Sequence, residues 1–260
     1  MQKDYIERAV TTDGIHNPAS RLWAEKWAQT TLPNPDSART REEWRQLEKW
    51  LMTLKQPARV LDGGCGLGEW TVALHRQGFG VAAVDVAADL LARVEGEYHL
   101  GRFSCSDIRA LCFRTATFDC YFSWGAFEHF EEGLGPCVSE ARRVLRPGGL
   151  LLVSVPFQNW RHQIRSAFAS TRASSGRDLV FYQWRLTPSE LKRQLEIEGF
   201  RVMEIRTMAK EHGIHRILQG LLGQRLALWV PVKIVRRLLS FVVPGRLVAH
   251  MILAVAVREP

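Results

Sequence analysis

A glycine-rich turn follows the apolar pair Val60-Leu61. Asp62 comes directly after that pair, and glycines then stand at alternate positions, Gly64, Gly66 and Gly68, before a helical run begins. Glycine is needed where a Cβ would block a turn of positive φ or keep a ligand away from the backbone. The pattern predicts a buried strand that runs into a tight turn and a helix N-terminus, where a small ligand binds.

The spacing of these glycines disfavours a nicotinamide or flavin cofactor. A dinucleotide fingerprint reads G-x-G-x-x-G, whereas the third residue after Gly66 is Glu69 and the third glycine comes one place too early. The pyrophosphate of a dinucleotide would therefore meet a carboxylate.

The turn resembles motif I, D/E-x-G-x-G-x-G, of class I S-adenosylmethionine (SAM)-dependent methyltransferases. Asp62 and the three glycines match that motif residue for residue, and Cys65 is a common occupant of its position. The resemblance implies that the turn holds the amino acid end of SAM, with Asp62 reaching its ammonium group directly or through water.

Two further acidic positions follow predicted strands. Asp85, followed by Val86, ends the second strand, and the resemblance implies a carboxylate there that accepts both ribose hydroxyls of SAM; an N-cap for the next helix is the alternative. Asp107 and Ile108 follow the third strand. The resemblance places Asp107 at the adenine amino group and the Ile108 backbone N–H at a ring nitrogen.

The segments FDCYFSWGAFEHF and EARRVLRPGGLLLVSVP are similar to those of small-molecule methyltransferases related to ubiquinone and menaquinone biosynthesis enzymes. Ser123 is expected at the cofactor and Trp124 at the substrate, where an aromatic face attracts a sulfonium; packing of the pocket wall explains Trp124 equally well. Phe157, which follows the fifth strand, is a second expected substrate contact.

His129 is the candidate general base, because an imidazole suits removal of a hydroxyl proton near neutral pH. A structural histidine is the alternative. Ubiquinone-type O-methyltransferases carry E-x-x-E-H here, with a metal role, but Gly125 occupies the first glutamate position. We therefore predict no metal site.

The elements that position these residues alternate between strands and helices from residue 58 onward. Continuously apolar strands indicate a parallel sheet covered on both faces, with the ligand at the carboxyl ends of the strands. The fold class is α/β, a doubly wound, Rossmann-like, seven-stranded sheet with an antiparallel last strand. We assign residues 1–56 to a helical segment, without a strand, over the cofactor site, and residues 57–260 to the methyltransferase domain.

Two insertions, residues 156–186 and 207–246, depart from the bare fold and are expected to carry substrate choice. The tail from His212 to Arg258 contains seven Lys or Arg, no acidic residue and many apolar side chains. Residues 212–245 could lie on an anionic membrane or hold a lipid-like acceptor. An ordinary helical subdomain packed at the sheet edge is the alternative.

Composition bounds the class of protein. With 46% hydrophobic and 24% charged residues and a net charge of +8, the chain is an ordinary globular protein with a basic balance. Its five cysteines lack metal-ligand spacing and indicate reduced thiols. Neither a signal peptide nor a spanning helix is expected, so the predicted localisation is cytoplasmic, with peripheral contact at the inner membrane face as an open alternative.

The combined motifs predict an enzyme that transfers the methyl group of SAM to a small molecule, with lipidic or glycosylated acceptors included, and that releases S-adenosylhomocysteine (SAH). A non-catalytic SAM-fold binding or scaffold protein is one alternative. An RNA methyltransferase is another, although nucleic acid is disfavoured because the cationic residues are mixed with apolar ones. The sequence leaves the oligomeric state open.

Overall fold

The computed structural model describes residues 1–7, 27–28, 30–168, 179–223 and 230–260. The strands are, in chain order, β1 Gln2–Glu7, β2 Arg59–Gly63, β3 Gly80–Asp85, β4 Phe103–Cys105, β5 Phe118–Trp124, β6 Leu145–Pro156, β7 Leu179–Arg185, β8 Phe200–Met208 and β9 Met251–Arg258. The α-helices are α1 Glu42–Leu51, α2 Glu69–Arg76, α3 Ala88–Tyr98, α4 Gly135–Val144, α5 Trp160–Phe168, α6 Pro188–Ile197, α7 Lys210–Leu222, α8 Val230–Val242 and α9 Gly245–Val248. Short 3-10 helices cover Pro35–Thr40 and Phe127–His129.

Seven strands form one sheet in the order β4-β3-β2-β5-β6-β9-β8. The pairs among β2 to β6 are parallel, whereas β9 runs antiparallel between β6 and β8. The predicted doubly wound sheet with an antiparallel last strand is therefore confirmed. The strand order reverses between β2 and β5, which is where ligands bind in open sheets of this kind.

Both faces of the sheet are covered by amphipathic helices, which explains why its central strands are apolar throughout. On one face, Trp44 and Leu47 of α1 pack with Trp70 of α2. On the other face, Val138 of α4 and Leu191 of α6 join the larger core cluster. The helix α6 begins with a capping box between Thr187 and Glu190, and Pro188 occupies its first turn.

The residues Arg146–Gly149 belong to β6. They make a register shift against β5, and Gly148 takes a positive φ of 77°. The shift leaves the carboxyl-terminal half of β6 in register with β5, so that Ser154 lies opposite Trp124. The ends of these two strands therefore meet at one edge of the sheet.

The expectation that residues 1–56 hold no strand is wrong. β1 pairs antiparallel with β7, a strand of the 156–186 insertion, in a separate two-stranded sheet. The run QKDYIE is too polar to be recognised as a strand by its own pattern, and the pairing comes from a partner far along the chain. Trp23, in the same N-terminal segment, lies outside the described residues.

The second insertion contains α7 and α8, as its apolar periodicity suggested. Within the described ranges of the chain, none of the helices is both long and apolar enough to cross a membrane.

Candidate active site

The glycine turn after β2 has the strained geometry that its sequence predicts. Gly64, Gly66 and Gly68 have φ values of 77°, 50° and 71°, which disfavour any residue with a Cβ. A Cβ on Gly64 would approach Ala126 to 2.7 Å, whereas one on Gly66 would remain 3.7 Å from the ring of Trp27. The turn is therefore closely packed at Gly64 and has room for contact at Gly66.

The neighbouring strand holds this turn in place. The backbone N–H groups of Gly64 and Cys65 donate to the Val84 carbonyl, each at 2.9 Å. The Gly66 N–H donates to Oδ2 of Asp85 at 2.9 Å, and the Ala87 N–H donates to Oδ1 at 3.1 Å. Asp85 thus braces the turn and the chain that leads into α3, and its half-buried carboxylate retains lone pairs for a ligand.

Asp62 lies beneath the turn, where it is 2% exposed and accepts a hydrogen bond from Thr71 Oγ1 at 2.7 Å. Burial, with smaller contributions from the carboxylates of Asp85 and Glu69, raises the pKa of the Asp62 carboxyl to about 7. Burial likewise raises the pKa of the Cys65 thiol, so this side chain is an apolar part of the wall.

The donor set fits SAM because it concentrates negative charge around the turn. Asp62, Glu69 and Asp85 are all carboxylates, and Glu69 is paired with Arg41 at 2.6 Å. A ligand that carries ammonium and sulfonium groups suits such a site better than one that carries phosphates. Val86, which is 40% exposed beside Asp85, adds an apolar surface for an adenine ring.

Asp107, the third acidic position that the sequence predicts for the site, already has a protein partner. The Asp107 carboxylate pairs with the Arg109 guanidinium at 2.6 Å, and these hydrogen bonds hold the pKa of Asp107 below its ordinary value. Arg109 also pairs with Glu132 and lies over the ring of Phe130 at 4.3 Å. Ile108 is buried. The predicted adenine contacts of Asp107 and Ile108 stay predictions, and Asp107 would have to share its carboxylate with Arg109.

At the end of β5, Ser123 and Trp124 lie in different surroundings. Ser123 is fully buried, and its hydroxyl donates to the Gly63 carbonyl at 2.7 Å, which ties β5 to the glycine turn. Trp124 packs against Trp70 with ring centroids 5.7 Å apart. Its indole N–H is buried and has no hydrogen-bond acceptor in the described part of the chain.

His129 lies on the 3-10 helix that follows β5, and Nδ1 is 2.8 Å from the Tyr182 carbonyl. Because a carbonyl can only accept, Nδ1 carries the proton and Nε2 is the basic nitrogen. Nε2 lies 3.9 Å from Oε1 of Glu128. Burial raises the pKa of the Glu128 carboxyl to about 8, so that group is mostly protonated at neutral pH.

Sequence reasoning missed Glu128 and Tyr182 as parts of this site. The adjacent Glu-His pair after β5 was the available signal for Glu128, whereas the Tyr182 contact depends on the insertion strand β7. Phe157 lies apart from these groups. It is 4% exposed, packs in the main core and forms a bridge with Leu186, so its predicted role as a substrate contact stays a prediction.

The turn, its two aspartates and the ends of β5 and β6 thus share one edge of the sheet. Residues 60–149 match the family model described as a methyltransferase domain. Over these residues the chain carries a methyltransferase domain. The prediction of a methyltransferase is supported over this stretch of the chain.

Curated relatives of this methyltransferase domain share part of the chain. The malonyl-(acyl-carrier protein) O-methyltransferase of Erwinia billingiae is 31% identical over 116 residues, 45% of this chain and 46% of that protein. The ubiquinone biosynthesis O-methyltransferase of a Bradyrhizobium species is 28% identical over 143 residues, 53% of this chain and 56% of that protein. The chain therefore spans about half the length of the curated relatives it matches.

A solved structure shares the fold over nearly the whole chain. The 1,6-didemethyltoxoflavin-N1-methyltransferase of Burkholderia thailandensis, crystallised with 1,6-didemethyltoxoflavin and SAH, has a TM-score of 0.56 and 18% identity. The match covers 100% of this chain and 96% of that one. At this identity the similarity shows the shared architecture alone.

Proposed function

We propose that this protein transfers the methyl group of SAM to a small-molecule acceptor. The observation that carries the proposal is the joint geometry of the glycine turn and Asp85, whose carboxylate accepts the Gly66 N–H at 2.9 Å. SAM, when bound, supplies an activated methyl group on a sulfonium, and transfer leaves SAH. The work of the protein is to position the two reactants and to exclude water.

Different residues would bind different parts of SAM. Asp62 and the turn Gly64-Cys65-Gly66 receive the amino acid end, while Asp85 and Val86 receive the ribose and one face of the adenine. The residues before α1 close over the turn, since the ring of Trp27 faces Gly66. Arg93 supports this closure, because its Nη1 donates to the Trp27 carbonyl at 3.0 Å.

The acceptor would lie between Trp124 and His129. A nucleophilic hydroxyl of the acceptor would lose its proton to Nε2 of His129 as it attacks the methyl carbon, and the carbon–sulfur bond breaks at the same time. Glu128, whose Oε1 lies 3.9 Å from Nε2 and whose pKa burial raises to about 8, would stabilise the resulting imidazolium in its carboxylate form. The matched relatives named as O-methyltransferases support an oxygen acceptor.

Asp62 gives cofactor binding a pH dependence. An ammonium group binds the Asp62 carboxylate rather than the neutral acid, and the pKa of this carboxyl is about 7 in the ligand-free protein. Binding therefore releases a proton below that pH, and affinity is lost as the pH falls. We expect the dissociation constant of SAH to be about tenfold higher at pH 6 than at pH 8. Calorimetry in buffers of different ionisation enthalpy measures both effects. Asp62→Asn is the matched control, and an equal pH dependence in this variant would contradict the assignment.

Methyl transfer itself can be measured without knowing the acceptor. The protein is incubated with SAM labelled in its methyl group and with a cell extract, and the label is separated into lipid, small-molecule, RNA and protein fractions. We expect the label in the small-molecule or lipid fraction. Label in RNA would support an RNA methyltransferase instead, and SAH binding without any transfer would support a non-catalytic binding protein.

We also propose a peripheral contact between α8 and an anionic membrane. This helix exposes a run of apolar side chains that no other described element covers, Ile234, Val235, Leu238, Leu239, Phe241 and Val242. Cationic side chains flank the run, among them Arg237, which is exposed, and Arg246, which lies over the ring of Trp160 at 4.7 Å. Apolar side chains beside cationic ones suit the interface of an anionic bilayer.

The two most exposed of these side chains provide the test. Phe241 and Val242 are 77% and 81% exposed, so replacing both by aspartate should leave the fold and SAH affinity unchanged. We expect the double variant to lose co-sedimentation with vesicles that contain phosphatidylglycerol. Ile197→Asp, which changes an apolar residue on α6 that is 66% exposed, is the control and should sediment like the unchanged protein. Equal binding by all three proteins would contradict the membrane contact.

A further inference from the structure

A cavity of about 310 Å³ opens beyond the carboxyl end of β6, between the two insertions. Its size is within the range of small-molecule sites. Residues from β1, α5, β7, α7 and the chain just before β9 form its wall. The charged and titratable side chains on that wall are Asp4, Arg161, His162, Arg185, Arg216 and His250.

The wall of this cavity is cationic at neutral pH. It carries three guanidinium groups and one carboxylate, and that carboxylate, Asp4, is already bonded to Arg185 Nε at 2.6 Å and to Gln183 at 2.9 Å. Burial and the nearby arginines lower the pKa of His162 to about 4 and that of His250 to about 3. Both imidazoles are therefore neutral, and the positive charge comes from the arginines alone.

The neutral imidazoles hold two of these guanidinium groups without cancelling their charge. Arg185 Nη1 lies 2.8 Å from His162 Nδ1, and Arg216 Nη1 lies 3.5 Å from His250 Nε2. A guanidinium has five N–H donors, so most donors of Arg216 and several of Arg185 stay available. The N-terminus of α5 adds to the positive potential, because Arg161 and His162 lie in its first turn.

The cavity lies next to the side of the domain where the acceptor would bind. Its Arg185 belongs to β7, the same strand whose Tyr182 carbonyl bonds His129. His250 precedes Met251, which pairs with Pro156 at the end of β6. The methyl group of Met251 also lies 3.6 Å from where a Cβ on Gly125 would stand, directly after β5. The strand β7 and the chain at the start of β9 therefore contribute to both the cavity and the expected site of methyl transfer.

We propose that this cavity binds an oxyanion group, a carboxylate or a phosphate, of the methyl acceptor. Guanidinium groups in a partly buried wall recognise both oxyanions through paired N–H donors. The inference rests on the proposed function, because it assigns the anion to the molecule that is methylated. The two insertions supply all of the cavity arginines, so under this proposal they select acidic acceptors.

Anion binding is tested on the full chain with inorganic phosphate and, separately, with acetate. NMR of the histidine Cε1–H groups follows His162 and His250. Their pKa values should rise when an anion binds, because its negative charge offsets the repulsion between the nearby arginines and a protonated imidazole. The groups that face them and set those values are Asp4, Arg161, Arg185, Arg216 and His212. We expect saturable shifts at both histidines, which identifies the cavity as the place where the anion binds.

Arg216→Gln removes a cavity arginine whose contact with His250 Nε2 is long, at 3.5 Å, so the fold should persist. We expect phosphate or acetate to bind about tenfold more weakly to this variant, with SAH affinity unchanged. Arg201→Gln, at an exposed position on β8, is the control and should bind anions like the unchanged protein. Anion affinity that is equal in all three proteins, or shifts confined to other histidines, would overturn the proposal.

The labelled product of the extract assay tests the assignment to the acceptor. We expect it to be retained on an anion-exchange column. Loss of retention after phosphatase treatment identifies a phosphate, and unchanged retention identifies a carboxylate. An uncharged product would overturn the assignment. Failure of the proposed methyl transfer would give a different result. The cavity would still bind phosphate, but no fraction of the extract would become labelled.

Discussion

Asp85→Asn is expected to raise the dissociation constant of SAH by about a hundredfold. The carboxylate accepts the N–H groups of Gly66 and Ala87 through its two oxygens and would accept ribose hydroxyls through their remaining lone pairs. Asparagine keeps one acceptor oxygen and turns the other into a donor, which would face an N–H or a hydroxyl. The loss of two hydrogen bonds to a charged group is about 3 kcal/mol, or roughly a hundredfold in Kd.

Calorimetric titration with SAH measures this change directly. Asp89→Asn is the matched control, because Asp89 is an exposed carboxylate in the first turn of α3, the helix that follows Asp85. The control should bind SAH like the unchanged protein, and thermal unfolding should show that both variants fold. Wild-type affinity in Asp85→Asn would mean that the carboxylate only braces the glycine turn.

The second large effect is expected at His129. His129→Ala should lower kcat for label transfer by about a hundredfold or more, since a positioned general base contributes about 10²–10⁴-fold. The dissociation constant of SAH should stay the same, because the imidazole lies at the end of β5 and bonds to β7 rather than to the glycine turn. The measurement is the initial rate of methyl transfer into the active fraction of the extract.

Adding free imidazole to His129→Ala distinguishes a catalytic role of His129 from a structural one. An imidazole that enters the space left by the side chain should restore part of the rate in His129→Ala, whereas a variant that had only lost its contact with Tyr182 would gain nothing. His99→Ala, at an exposed position after α3, is the control and should keep its full rate. An unchanged rate in His129→Ala would leave the histidine with a structural role.

The sequence was most informative for features that depend on residues close together in the chain. Continuous apolar strands such as β5 and the glycine turn each follow from short stretches of sequence, and the parallel order of the sheet follows from the alternation of strands and helices. β1 could not be predicted in this way, because its pairing with β7 joins residues from opposite ends of the chain.

In the candidate site, too, local features could be predicted from the sequence and contacts between distant residues could not. Asp85 could be placed at the glycine turn because it ends the next strand, whereas the contact of Ser123 with Gly63 and that of His129 with Tyr182 were not visible. Asp107 was expected at the adenine, but a nearby arginine two positions further on occupies its carboxylate. The cationic cavity draws on five separated elements, and no spacing in the sequence indicates such an assembly.

A crystal structure of the protein with SAH tests the central claim most directly. The account predicts that the ligand lies along the Gly64–Gly68 turn, with its ribose hydroxyls on the Asp85 carboxylate and its ammonium on the Asp62 side of the turn. A ligand bound elsewhere, or a ribose that leaves Asp85 bonded only to Gly66 and Ala87, would contradict it.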